Sequence, residues 1–275
     1  MKKTIFILFI FCFNLMGEVR IVTLTPSINE IVYALGMGNS VVANTEYCDF
    51  PPRSKDVKKV GGHASISLEK ILESKPTVVV SQNYDEKMLE NLKSLNIETL
   101  VFKTDTIDAI KSTVKTLGVY FKKEQKAKKI ISNINNSLAS LKGIVSNKKV
   151  LIVIGPRKDL NNQIYIAGNH LYFEDILKAS ENINAFSSNA KNQPVVNSEK
   201  IINMNPDIIV LLSPFLKGKI KEQKKIISNW QSLPTNAGFN KNVYLIDEQY
   251  AGIPSQRVVY FINDFKKILE NVRNK

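Results

Sequence analysis

The sequence predicts an α/β fold of two lobes, each built on a parallel sheet, joined by one long stiff α-helix with a cleft between them. An internal repeat is the first observation behind this. Glu69-Lys70-Ile71-Leu72, then Pro76 and Val78-Val79-Val80, returns as Glu199-Lys200-Ile201-Ile202, then Pro206 and Ile208-Ile209-Val210. The offset is 130 residues, about half the chain, and a repeat of this kind dictates architecture. In each copy an acidic residue sits in the first turn of a short helix, where the helix dipole favours it. A proline ends the helix, and a β-branched run of the kind buried in parallel sheets follows. The second observation is strand–helix–strand–helix order in both halves. The third is a helical pattern over 123–145, with Ala127, Ile130, Ile131, Ile134, Leu138, Leu141 and Val145 spaced by threes and fours. Such a helix measures roughly 35 Å at ~1.5 Å per residue, and no glycine-rich linker interrupts it.

The elements follow in order. Arg20 to Leu24 reads as a strand; Thr25-Pro26-Ser27 turns it into a helix burying Ile28, Ile31, Val32 and Leu35, stopped by Gly36. Val41 to Ala43 is a second strand. The long loop 44–65 gathers aromatic, thiol, carboxylate and imidazole groups, and loops of this length are often functional. The first repeat unit comes next, then a helix and the strand Ile97–Phe102. Thr106 to Leu117 is helical, with Gly118 as an interruption. Beyond the connecting helix come strands at Val150–Ile154 and Gln163–Ala167 and a helix bearing Phe173, Ile176 and Leu177. The second repeat unit, a lysine-rich helix ending near Trp230, the strand Val243–Ile246 and a closing helix Arg257–Val272 complete the chain. The expected organisation is a leader over 1–17, a first lobe over 18–121, the connecting helix over 122–147 and a second lobe over 148–275.

Composition narrows the function. The formal net charge is +13 and hydrophobic residues make up 44%, an ordinary globular content. The lysines are spread over many helices, and no nucleic-acid-binding signature accompanies them, so nucleic acid is not expected as a partner. Lys2 and Lys3, the apolar run Ile5–Phe13 and Gly17 read as an export signal cleaved near Gly17. The run is too short to span a bilayer. Phe9-Ile10-Phe11 before Cys12 argues against a lipid anchor. Cys48 is then the one cysteine left, so no internal disulfide is expected.

Catalytic signatures are absent. There is no glycine-rich dinucleotide or phosphate loop and no nucleophile elbow. The two histidines, His63 and His170, cannot build a His-rich metal cage. Cys48 with His63 forms a nucleophile pair only on paper, since no orienting third group or oxyanion hole is visible. Binding between the lobes is the expectation rather than catalysis.

Several stretches resemble a known family. They are Arg20-Ile-Val-Thr-Leu-Thr-Pro-Ser-Ile-Asn-Glu-Ile-Val-Tyr-Ala-Leu-Gly36, Thr45-Glu-Tyr-Cys-Asp-Phe-Pro-Pro52, Lys59-Val-Gly-Gly62 and Ser67-Leu-Glu-Lys-Ile71. Tyr165-Ile-Ala-Gly168 and Ile253-Pro-Ser-Gln-Arg257 extend the likeness over nearly all of the exported chain. The chain is similar to the iron-siderophore/cobalamin class of periplasmic solute-binding proteins, nearest to its cobalamin-binding members. The resemblance implies two Rossmann-like lobes bridged by a helix, a periplasmic location and a monomer. It also implies no intrinsic cofactor, with a cobalt or iron chelate as cargo. The implied partners are the permease dimer of an ABC importer and its ATPase.

The resemblance also implies residue roles. Glu69 and Glu199 would dock on permease arginines, where carboxylate–guanidinium pairing gives orientation as well as attraction. Tyr47, His63, Tyr84, Arg157, His170, Phe215, Tyr250 and Arg257 would line the cleft. His63 stands where the compared cobalamin binder has a bulky aromatic residue, and could reach a metal through a bound chelate. The second lobe lacks that relative's cysteine pair. The overall likeness to the cobalamin-binding members still makes cobalamin or another corrinoid the first expected ligand, with haem or a ferric siderophore next and a small metal–amino-acid complex as an alternative. An extracytoplasmic chelatase of similar bilobal shape is the alternative from another class.

Overall fold

The computed structural model describes residues 18–62, 65–83, 86–156, 160, 163–188 and 190–275. The expected leader 1–17 and the expected site residues His63, Tyr84 and Arg157 lie outside them. Two parallel sheets carry the fold. The first has the order β3-β2-β1-β4-β5, from β1 (Ile21–Thr23), β2 (Val41–Asn44), β3 (Lys58–Lys59), β4 (Val78–Gln82) and β5 (Thr99–Phe102). The second has the order β11-β10-β6-β8, from β6 (Lys149–Ile154), β8 (Ile183–Asn184), β10 (Ile208–Leu212) and β11 (Val243–Ile246). Two short strands, β7 (Ile164–Tyr165) and β9 (Val195–Val196), pair antiparallel apart from the main sheet.

The repeat is structural. The helices α2 (Leu68–Glu73) and α7 (Ser198–Met204) each open on a side-chain cap. Ser67 Oγ accepts from Lys70 N–H, and Asn197 Oδ1 accepts from Lys200 N–H. Each helix leads into the strand beside the centre of its sheet, β4 between β1 and β5, β10 between β6 and β11. Lys75 and Asn205, one repeat apart, both take the left-handed conformation just before a proline (φ 45° and 44°). Asn tolerates that region at low cost; Lys is strained there. Both strands are buried on both faces. Val78 and Val80 join one core cluster while Val79 joins another, and Ile208 and Val210 part from Ile209 in the same way. This explains the unbroken apolar runs.

Helix α1 (Pro26–Ala34) buries Ile28, Ile31 and Val32 as expected. The connection departs from expectation. Helix α5 covers Glu124–Ala139 and caps at Ser140, short of the expected 123–145. A turn follows, through Gly143 at φ 74°. The bridging is shared with α4 (Ile107–Tyr120). Its Ile107 and Ile110 pack in the core of the second sheet, while Val114 and Leu117 pack in that of the first. Asp175 of α6 (Tyr172–Ala179) accepts from the Ile107 N–H at the start of α4, at 2.8 Å. Gly118 does not interrupt α4. A Cβ there would sit 2.5 Å from Ala127 Cβ, so glycine lets α4 and α5 approach closely. Helices α8 (Ile220–Gln231) and α10 (Val258–Arg273) fall where the pattern predicts, with α9 (Asn236–Phe239) between them and α3 (Glu86–Ser94) in the first lobe.

Candidate functional site

Parallel sheets place their strand ends on common edges, and ligands of α/β proteins gather at the carboxyl ends. A cavity of about 330 Å³ lies at those ends in the first lobe, faced by connections of the second. Gln82 at the end of β4 and Asn83 after it, with Phe102 at the end of β5 and Thr104 beyond it, meet Leu171 and Pro254 of the second lobe there. Lys103 and Asp105 add opposite charges to its wall. Its floor is a polar ladder. Ser27 Oγ donates to Gln82 Oε1 at 3.0 Å, and Gln82 Nε2 donates to Thr104 Oγ1.

The loop after β2 is held from three sides. Asn29 Nδ2 of α1 donates to the Phe50 carbonyl at 3.0 Å and to Ser54 Oγ at 2.8 Å. Asn44 Nδ2 donates to Ser54 Oγ at 2.9 Å. From β3, Lys59 Nζ reaches Asn44 Oδ1 at 2.7 Å and the carbonyls of Ser54 and Cys48 at 3.0 and 3.2 Å. Desolvation of that ammonium, among neutral oxygens, lowers the Lys59 pKa. Burial pushes the Cys48 thiol up, and a buried thiol of raised pKa is a poor nucleophile. Tyr47 projects from this fastened loop, 62% exposed.

Across the cleft floor runs a buried ion pair. Arg257, just before α10, is 7% exposed and Glu30 of α1 is 2% exposed. Arg257 Nε donates to Glu30 Oε2 at 2.9 Å, and its Nη2 to Glu30 Oε1. Ser255 Oγ donates to the same carboxylate and accepts the Arg257 N–H at 3.1 Å. The guanidinium also lies over the Phe50 ring, 3.8 Å from its centroid. Burial raises the Glu30 pKa, against the lowering pull of Arg257 and Ser255.

The expected site residues divide. Tyr47, and Phe215 at 55% exposure, stand free at strand ends. His170 neighbours the cavity-lining Leu171, and its Nδ1 is buried without a hydrogen-bond partner among the described residues. Arg257 is not an open cleft cation, because Glu30 takes its guanidinium. Tyr250 is drawn to the flank of the second lobe, where its hydroxyl donates to Asp264 and its ring meets Tyr260 at 5.3 Å. It borders a separate pocket with Asp247 and Lys267, not the interlobe cavity. Glu30, Ser255, Phe50, Lys59 and Gln82 escaped the sequence reading. Glu30 left a signal, a charge among Ile28 and Ile31 on a buried face, which requires a partner.

Among the described residues no three His, Cys, Asp or Glu side chains gather as a metal site, and no helix is long and apolar enough to cross a membrane. A model of the periplasmic binding protein family matches residues 21–250. The chain belongs to that family. A vitamin B12-binding protein from Vibrio campbellii is 24% identical over 258 residues, covering 93% of this chain and 91% of the relative. The structure of a periplasmic vitamin B12-binding protein from Vibrio cholerae superposes with a TM-score of 0.76 at 20% identity, over 93% of this chain and 98% of that one. A periplasmic haem-binding protein from Roseiflexus gives 0.74 at 20%, over 94% and 100%. At such identities the structural likeness speaks for the fold, two lobes as in these family members.

Proposed function

We propose that this chain is the extracytoplasmic receptor of an ABC importer and carries a metal chelate in its interlobe cavity. The observation that carries the reading is that cavity, framed by the carboxyl ends of the first sheet and by Leu171 and Pro254 of the second lobe, with hydrogen-bonding side chains in its wall. Tyr47, Phe215 and His170, which stand outside the cavity's own lining, remain candidate ligand contacts of the wider cleft by the family resemblance, with His63, Tyr84 and Arg157 from outside the described residues. Glu69 and Glu199 are the chain's candidate permease contacts. The leader 1–17 serves export, and the mature chain works as a monomer that binds without turnover. The names of the relatives put a corrinoid first and haem next. A second reading, a small metal–amino-acid complex, draws on cavity size. About 330 Å³ is near the low end of the roughly 300–1,000 Å³ usual for ligand pockets. His63 or His170 would then complete the metal's coordination.

Fluorescence titration of the exported chain with cyanocobalamin, haemin, a ferric catecholate and nickel–histidine tests this. One-to-one saturable binding of one of them, weakened by Tyr47→Ala, is expected. Chemical turnover of a bound chelate would move the protein to the chelatase class. Absence of binding to all four would remove the metal-chelate reading.

A further inference from the structure

We propose that Arg257 is a positioning residue that sets the aperture of the cleft by tying three separate pieces of chain together at its floor. The argument rests on how its guanidinium is used. One edge grips the Glu30 carboxylate through two nitrogens, and one face covers Phe50. Glu30 belongs to α1 and Phe50 to the loop after β2, both of the first lobe, whereas Arg257 and Ser255 belong to the entry of α10 in the second. The same contacts therefore cross the lobe boundary twice, once to a helix and once to the loop that carries Tyr47.

The chemistry is directional. A bidentate guanidinium–carboxylate pair has a defined plane and length, and stacking on a ring restrains the orthogonal direction. Glu30 Oε2 accepts from both Arg257 and Ser255, so the carboxylate cannot rotate without losing a bond. Asn29, the neighbour of Glu30 on α1, holds the Phe50 carbonyl at 3.0 Å. The Phe50 backbone is thus held by Asn29, and its ring by the arginine that the next residue of the same helix, Glu30, grips. Helices α4 and α5 join the lobes at another place; they leave a rocking motion about themselves that the Arg257 contact removes. A lysine could not replace it, because a point ammonium makes neither the two-pronged grip nor the stack.

The test reads geometry rather than ligand. Spin labels on Lys93→Cys and Lys221→Cys, exposed positions on α3 and α8 of opposite lobes, report the interlobe distance by pulsed electron resonance. The Glu30→Gln, Arg257→Met double variant removes both charges together, so no buried charge is stranded, and a cooperative thermal transition checks that it folds. Expected are a single narrow distribution in the parent and a broadened, shifted one in the double variant. The Arg257→Lys variant should broaden likewise, although it keeps the charge. An unchanged narrow distribution in the folded double variant would overturn the proposal and assign the aperture to α4 and α5 alone. Haemin and cyanocobalamin added to the parent probe the receptor reading separately. Failure of both to bind the parent bears on the choice of ligand and leaves the distance result standing.

Discussion

Glu69 and Glu199 occupy one address in the two lobes. Each is the second residue of a short helix, two positions after the capping Ser67 or Asn197, and each is exposed. Among the described residues neither forms an ion pair. A pair of equivalent carboxylates, one on each lobe of a single chain and neither in an ion pair among the described residues, suits a partner with two related halves. Glu69→Arg with Glu199→Arg should abolish uptake in cells that depend on the importer. Ligand affinity should be unchanged, and each charge reversal in a first helical turn should cost about 0.3–1 kcal/mol of stability. Transport assays beside titrations of the purified variant check this; uptake at the parent rate would remove the docking role.

The buried pair of Glu30 and Arg257 gives a prediction about stability. Removing one partner strands a charge in a dry site, so Arg257→Ala should cost about 3–5 kcal/mol in urea unfolding. The Glu30→Gln, Arg257→Met double variant should lose less, since it leaves no uncompensated charge in the buried site. Equal losses in both would mean that the arginine contributes chiefly packing against Phe50.

Much of the fold was legible because its signals are local. The apolar runs at β4 and β10, the capped helices before them and the buried stripe of α1 each follow from neighbouring residues. The two-residue strands β8 and β9 carry no such signal, and their pairing is decided by tertiary contacts. Gly118 was misread because a glycine within a helical pattern looks like a stop, whereas here it answers a helix crossing. The site was less legible. Arg257 and Glu30 are 227 residues apart, and nothing near Arg257 tells a ligand contact from an interlobe bridge. Tyr250 looked like a cleft aromatic until Asp264, on the following helix, took its hydroxyl.

The close approach of α4 to α5 makes Gly118→Ala an informative substitution. In a free helix alanine would gain about 0.5–1 kcal/mol over glycine. Here the new methyl would fall 2.5 Å from Ala127 Cβ, and overpacking of this kind costs about 1–3 kcal/mol. The clash should win, giving a lower urea midpoint. Ala127→Gly added to it should recover most of the loss by vacating the contact. A Gly118→Ala chain more stable than the parent would show that the helices can part without penalty.

The raised pKa of Glu30 predicts a pH dependence of definite sign. Its folded-state value lies above the ordinary 4.5, chiefly because burial disfavours the charge. Between 4.5 and that raised value the folded chain binds more protons at this site than the unfolded chain. Stability contributed by Glu30 is then fully present below 4.5 and declines as pH rises through the folded-state pKa. Glu30→Gln cannot titrate, so the thermal midpoint of the parent minus that of Glu30→Gln should shrink as pH is raised from about 4 to 7. Other groups cancel in the difference, because both chains carry them. A difference that grows with pH would mean that Arg257 and Ser255 outweigh the burial of the carboxylate and hold its pKa below 4.5 instead.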